Sequence, residues 1–90
     1  MRKHILFLVP LFYVLDMQRF GEKLRTLRTR RGMTVRELAV ALGYSEKSHS
    51  YVSETETGKR TPEVEFVLKV AQFFNASTDQ LIRDDLDIDV

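Results

Sequence analysis

The sequence predicts an all-α domain, and three of its features carry that expectation. Apolar residues recur at spacings of three and four in successive segments from Phe20 to Leu81, the spacing that stacks side chains on one face of a helix. Two capping boxes, Thr34 to Glu37 and Ser77 to Gln80, together with glycines at positions 32, 43 and 58, mark where such helices start and stop. No run alternates apolar with polar residues between hairpin turns, so no sheet competes. Ninety residues, 43% of them hydrophobic and 30% charged, make one small globular domain and argue against disorder, collagen-like repeats or a multispan membrane protein.

In chain order, residues 1–18 form an apolar N-terminal extension, residues 19–83 the helical domain and residues 84–90 an acidic tail. Ile5 to Leu15 is apolar throughout, eleven residues interrupted by Pro10, whereas a membrane-spanning helix needs about 20. Arg2 and Lys3 ahead of it resemble the start of a secretory signal, but Asp16-Met17-Gln18-Arg19-Phe20 offers no small-residue cleavage site. Three readings stay open: an arm that packs on the domain or on a partner, an extension upstream of a start at Met17, and, less favoured, a signal peptide with export or membrane attachment.

Phe20, Leu24 and Leu27 give the first helix its core stripe, and Arg25, Arg28, Arg30 and Arg31 crowd its end, where cations suit the helix dipole. Gly32 stops it. Thr34 caps the second helix, which carries Val35, Leu38, Ala39 and Leu42 on one face and closes at Gly43. A polar, cap-rich segment from Tyr44 to Ser50 then leads into a short third helix, Tyr51 to Glu56, ended by Gly58. Thr61-Pro62 reads as an N-cap with proline at the first helical position. The fourth helix after it has Val64, Val67, Leu68, Ala71 and Phe74 as its stripe, widened by Phe66, Val70 and Phe73. Asn75-Ala76 breaks that helix, Ser77 caps a last one through Leu81 and Ile82, and the tail is expected to fray.

Composition narrows the chemistry. There is no cysteine, hence no disulfide, zinc ribbon or thiol nucleophile. Only His4 and His49 are present, without HExxH or EF-hand spacing, so no metal site and no cofactor is expected. No serine, histidine and aspartate constellation frames His49, and no carboxylate cluster accompanies the bases, so no enzymatic activity is expected either. The net charge of +1 hides an asymmetry: residues 17–60 carry ten bases against five acids, and residues 61–90 two bases against seven acids. A basic stretch is commonly a solvated helix face, and the sharper reading is a polyanion partner.

Two short helices joined through a glycine, the second polar outside and flanked by bases, is the arrangement that places one helix in a DNA groove. Residues 19–83 resemble the Cro/C1-type (lambda-repressor-like, XRE) helix-turn-helix family. The resemblance rests on an ordered series of segments: Phe20-Gly21-Glu22-Lys23-Leu24-Arg25 with Arg28 and Arg31, then Gly32-Met33-Thr34-Val35-Arg36-Glu37-Leu38-Ala39 and Leu42-Gly43. It continues in Tyr51-Val52-Ser53, in Glu56-Thr57-Gly58-Lys59-Arg60-Thr61-Pro62 and in Ser77-Thr78-Asp79-Gln80-Leu81. It implies a five-helix fold in which the third helix reads bases, the second straddles the backbone, and homodimers bind two-fold operators on double-stranded DNA. The implied function is a cytoplasmic, nucleoid-associated transcriptional regulator, with a repressor as the first expectation.

Carried over by residue, Arg28 and Glu56 match the family's internal ion pair. Thr34, Arg36, Lys47, Thr57, Lys59 and Arg60 are the expected phosphate contacts, with a solvated loop as the alternative for Lys59 and Arg60. Ser48, His49, Ser50, Ser53 and Glu54 are the expected base contacts; for His49 a plain exposed side chain stays open. Glu54 can accept from a cytosine amine, but it is otherwise repulsive beside phosphates. Three departures stand out: the stretch from Gly43 to Tyr51 is longer than the common form, Val35 replaces a glutamine that touches the backbone, and Thr55 replaces a large aliphatic residue. A buried threonine there needs a partner, most simply the carbonyl four residues earlier. Dimerisation is expected around Phe73, Phe74 and Leu81. The competing class is a protein-interaction adaptor or antitoxin-type partner using Phe66, Val70, Phe73 and the arm Ile5 to Leu15.

Overall fold

The computed structural model describes residues 17–88. A 3-10 turn, Met17–Arg19, runs into five helices: α1 Phe20–Arg30, α2 Val35–Ala41, α3 His49–Glu56, α4 Val64–Phe74 and α5 Thr78–Ile82. A second 3-10 turn, Glu46–Ser48, precedes α3. No strand occurs among the described residues, and none of their helices is long and apolar enough to cross a membrane. The apolar stretch Ile5 to Leu15 lies outside the described residues.

The core gathers one face from each helix. Phe20, Leu24 and Leu27 of α1 meet Leu38 and Ala39 of α2, Val52 of α3, Phe66, Val67, Val70 and Phe74 of α4, and Leu81 of α5. Each of the larger side chains contributes about 1.5 to 3 kcal/mol by leaving water. The Phe20 and Phe66 rings meet edge to face at 6.3 Å, and Tyr51 packs on Phe66 at 4.9 Å. Met17 is also buried, so the core reaches back to the turn before α1.

On α4 the expected stripe is rotated. Val64 and Leu68 are 61% and 48% exposed, whereas Phe66 and Val70 are buried. This helix is apolar on more than one side, and the face with the two large rings, Phe66 and Phe74, wins the interior because it removes the most area from water. The adaptor patch proposed from Phe66 and Val70 is therefore not a surface. Phe74 and Leu81 are likewise core, and of the trio expected at a dimer contact only Phe73 is partly open. Arg31 stacks on this pair, its guanidinium 4.9 Å from the Phe73 ring and 4.8 Å from that of Phe74.

Helix starts also differ from expectation. α4 begins at Val64 with Glu63, not Thr61, as its N-cap. The Glu63 N–H donates to the Tyr51 hydroxyl at 3.0 Å while Pro62 is buried, which keeps Thr61-Pro62-Glu63 extended. α3 begins two residues earlier than the sequence suggests, and the polar segment before it winds into the 3-10 turn. The acidic tail does not fray at its start. Asp84 accepts hydrogen bonds from the backbone N–H groups of Gln18 and Arg19 at 3.1 and 2.9 Å, capping the entry to α1 from 65 residues away. Arg19 returns the contact through the Asp84 carbonyl at 2.8 Å and the Asp87 carboxylate at 2.9 Å.

Three residues fix α1 against the rest. Gly21 lies where a Cβ would stand 2.5 Å from the Thr55 carbonyl oxygen and 2.6 Å from that of Glu56, so the end of α3 touches the α1 backbone directly. Arg28 donates from Nε and Nη2 to the two carboxylate oxygens of Glu56 at 2.6 and 2.9 Å and from Nη1 to the Met33 carbonyl at 2.7 Å. The Glu56 bond is the main cause of a raised Arg28 pKa. Lys23 is buried in the apolar face of α1 and donates to the carbonyls of Gln80 and Arg83 at 2.6 and 2.7 Å, closing the end of α5. Burial, aided by the Arg19 charge, pushes its ammonium below the ordinary lysine value.

Three outcomes are expected from urea denaturation. Gly21→Ala should lose about 3 kcal/mol of stability, because the clash is with backbone that no rotamer relieves; an unchanged midpoint would mean α1 and α3 can separate freely. Arg28→Ala should lose about 3 kcal/mol by leaving Glu56 sheltered without its cation, and normal stability with lost DNA affinity would make Arg28 a contact residue instead. Lys23 changes the pH profile. Between its lowered pKa and the ordinary lysine value the unfolded chain binds more protons than the fold, so this group makes stability rise with pH. As the pH rises toward the ordinary lysine value, about 10, the natural protein should gain stability relative to Lys23→Met; the opposite slope would show that the two carbonyls outweigh burial.

Candidate nucleic-acid interface

The candidate interface centres on α3. Its inward residues Val52 and Thr55 are buried, and the Thr55 hydroxyl donates to the Tyr51 carbonyl at 2.7 Å, four residues back. That bond lets a threonine occupy a position inside the joint without leaving a bare hydroxyl. Glu56 ties the end of the helix to α1. With one side held this way, Ser50 and Ser53 stand exposed on the other, and Ser48, His49 and Glu54 are half-exposed.

Among the expected phosphate contacts, Arg36, Lys47 and Lys59 are exposed. Thr34 is exposed at the start of α2, where its hydroxyl oxygen accepts from the Glu37 N–H at 3.1 Å and its own N–H donates to the Glu37 carboxylate at 2.8 Å. The hydroxyl proton of Thr34 remains available to an acceptor. Thr57 is arranged differently. Its hydroxyl donates to the carbonyls of Ser53 and Glu54 at 3.1 and 3.2 Å, and its N–H to the Ser53 carbonyl, so as placed it closes the end of α3 and offers a phosphate no proton. Contact with a phosphate requires that hydroxyl to rotate.

The loop after α3 is wrapped back onto the helix. Gly58 has φ +81, a conformation that L side chains rarely adopt, and it turns the chain so that the N–H groups of Lys59 and Arg60 both reach the Glu54 carbonyl at 2.9 and 3.3 Å. The Arg60 side chain then pairs with the Glu54 carboxylate at 3.1 Å and lies over the Tyr51 ring, 4.9 Å from its centre. Two residues expected to touch different parts of a DNA duplex are thus joined to each other.

Sequence reasoning missed the supports of this arrangement. Lys23 counts as a surface base by composition, but it sits three residues from Phe20 and four from Leu27, inside the apolar stripe, and that spacing was the available signal. Gly21 lies in the same helix with no turn to explain it, which marks a close approach of backbone. The double use of Tyr51, ring on Phe66 and hydroxyl on Glu63, left no signal in the sequence.

Residues 19–83 match the sequence model of a helix-turn-helix domain. No curated protein matches the chain in sequence. Among solved structures, the restriction-modification controller protein C.AhdI from Aeromonas hydrophila is similar to this chain at 33% identity with a TM-score of 0.62, over 74% of this chain and 97% of that one. An internal ion pair that seats a short polar helix, the family match over most of the domain and this shared fold agree. The chain belongs to the Cro/C1-type helix-turn-helix family of DNA-binding transcriptional regulators.

Proposed function

We propose that the chain is a sequence-specific repressor that lays α3 in the DNA major groove and binds two-fold operators as a homodimer. The observation that carries this reading is the mounting of α3: buried on Val52 and Thr55, bonded at its end through Glu56, and polar and exposed at Ser50 and Ser53. A short helix held rigidly with hydroxyls outward suits base edges, which are read by hydrogen bonds from groups that do not move. Ser48, His49, Ser50, Ser53 and Glu54 take the bases in this reading. Thr34, Arg36, Lys47, Lys59 and Arg60 take phosphates on either side, and Thr57 joins them once its hydroxyl turns. The excess of bases over acids in residues 17–60 supports attraction to a polyanion. Likeness to a restriction-modification controller supports a regulatory role in preference to an architectural one.

Burial of Phe74 and Leu81 removes two of the three residues expected at a dimer contact. The exposed pair Val64 and Leu68 on α4 and the partly open Phe73 are the apolar surfaces that remain on that helix.

Selection of bound fragments from genomic DNA by the full chain tests the proposal. A two-fold motif with half-sites about one helical turn apart, bound at least about a thousandfold tighter than random duplex, is the expected result. A single half-site would remove the dimer and keep the reader; salt-sensitive background without any motif would remove both. Lys59→Ala should weaken all sequences alike and lower the salt slope by about one.

A further inference from the structure

We propose that Glu54 and Arg60 act as one composite reading unit, in which Arg60 neutralises Glu54 so that its carboxylate can accept from a cytosine amine beside the phosphates. The proposal rests on the reading of α3 as the groove helix and assigns these two residues a joint task within it.

The geometry of the pair carries the argument. Arg60 Nε donates to Glu54 Oε1 at 3.1 Å, and Arg60 Nη2 lies 3.1 Å from the same oxygen. Both contacts converge on one carboxylate oxygen, so Oε2 and Nη1 take no part in them. The unit therefore keeps one acceptor oxygen and one donor nitrogen outside the contact. Its position is fixed from three directions: the guanidinium rests on the Tyr51 ring, the Arg60 N–H reaches the Glu54 carbonyl, and the Tyr51 hydroxyl is held by the Glu63 N–H. The Glu54 and Arg60 side chains remain 42% and 48% exposed, so the pair lies at the surface.

A surface ion pair of this exposure contributes little to stability. Placed against DNA, it resolves a conflict. A bare carboxylate on a reading helix is repelled by the phosphates on both sides of the groove, yet a carboxylate oxygen is the acceptor that a cytosine amine needs. Bonding one oxygen to a guanidinium cancels the charge and keeps the second oxygen as an acceptor. The guanidinium, still carrying unbonded N–H groups, faces a phosphate with the same pair intact.

This assignment separates Arg60 from an ordinary phosphate contact. A cation that only grips phosphate changes affinity for every sequence by the same factor, whereas a cation that licenses a neighbouring reader also changes base preference. The experiment starts from the motif selected by the natural full chain and measures affinities for all four base pairs at each motif position at one salt concentration. Glu54→Ala should lose about tenfold of discrimination for cytosine at one position. Arg60→Ala should lose discrimination at that same position, and Glu54→Ala should partly restore affinity to Arg60→Ala by removing the stranded carboxylate. Uniform weakening by Arg60→Ala with additive effects in the double variant would overturn the coupling. Unchanged preference in Glu54→Ala would remove Glu54 as a reader.

A second measurement keeps the pair distinct from the DNA reading. In the free protein, the Arg60 side-chain NMR signals should show the ring-current shift of Tyr51 and lose it in Glu54→Gln. With that shift present and no motif selected by the natural chain, the groove reading fails and the composite reader fails with it; with a motif selected and no shift, the composite unit alone fails.

Discussion

The bidentate contact between Arg28 and Glu56 organises the molecule. It joins the last turn of α1 to the last residue of α3, and through the Met33 carbonyl it also takes in the turn before α2. Three segments that the chain supplies separately thus share one guanidinium, a planar group with enough donors to serve all of them in a fixed geometry. Because both side chains are largely sheltered, 13% and 6% exposed, the pair tolerates little misalignment. Everything that makes α3 useful follows from this seat, including which of its faces is left to solvent.

Around that joint the fold uses polar contacts where a small core is thin. Lys23 and Asp84 are both polar groups doing work that apolar packing cannot, one closing the carbonyls at the end of α5 and the other the amides at the start of α1. Thr55 follows the same logic at smaller scale. Its hydroxyl is satisfied within its own helix, so a position that packs against α1 carries a polar residue at no cost in unpaired groups.

The parts of the fold legible in the sequence are those set by local rules. Both capping boxes form with both reciprocal bonds, and glycines stand at the ends of the first three helices because each needs a positive φ there. What local rules leave undetermined is rotation and reach. α4 offers more than one apolar face, and periodicity alone does not rank Val64 and Leu68 against Phe66 and Val70; only the neighbouring Phe20 and Tyr51 rings decide it. The start of α4 is displaced for a similar reason, since a tertiary bond from Glu63 to Tyr51 outweighs the preference of proline for a first helical turn. At the candidate interface, exposure of the serines follows from the pattern, but the union of Glu54 with Arg60 does not. It depends on the path of the loop after Gly58, and a loop path is written in φ angles that residue types only partly reveal.

The bond between Asp84 and the entry of α1 has a mechanical meaning. It draws the two ends of the helical domain together, so tension applied through them bears first on a few hydrogen bonds at one junction, in series with the Arg19 to Asp87 contact. The next contact between the two ends is that of Lys23 with the carbonyls at the end of α5. The seat of α3 shares the load, because the α1 backbone at Gly21 lies directly against the Thr55 and Glu56 carbonyls and Arg28 of the same helix is bonded to Glu56.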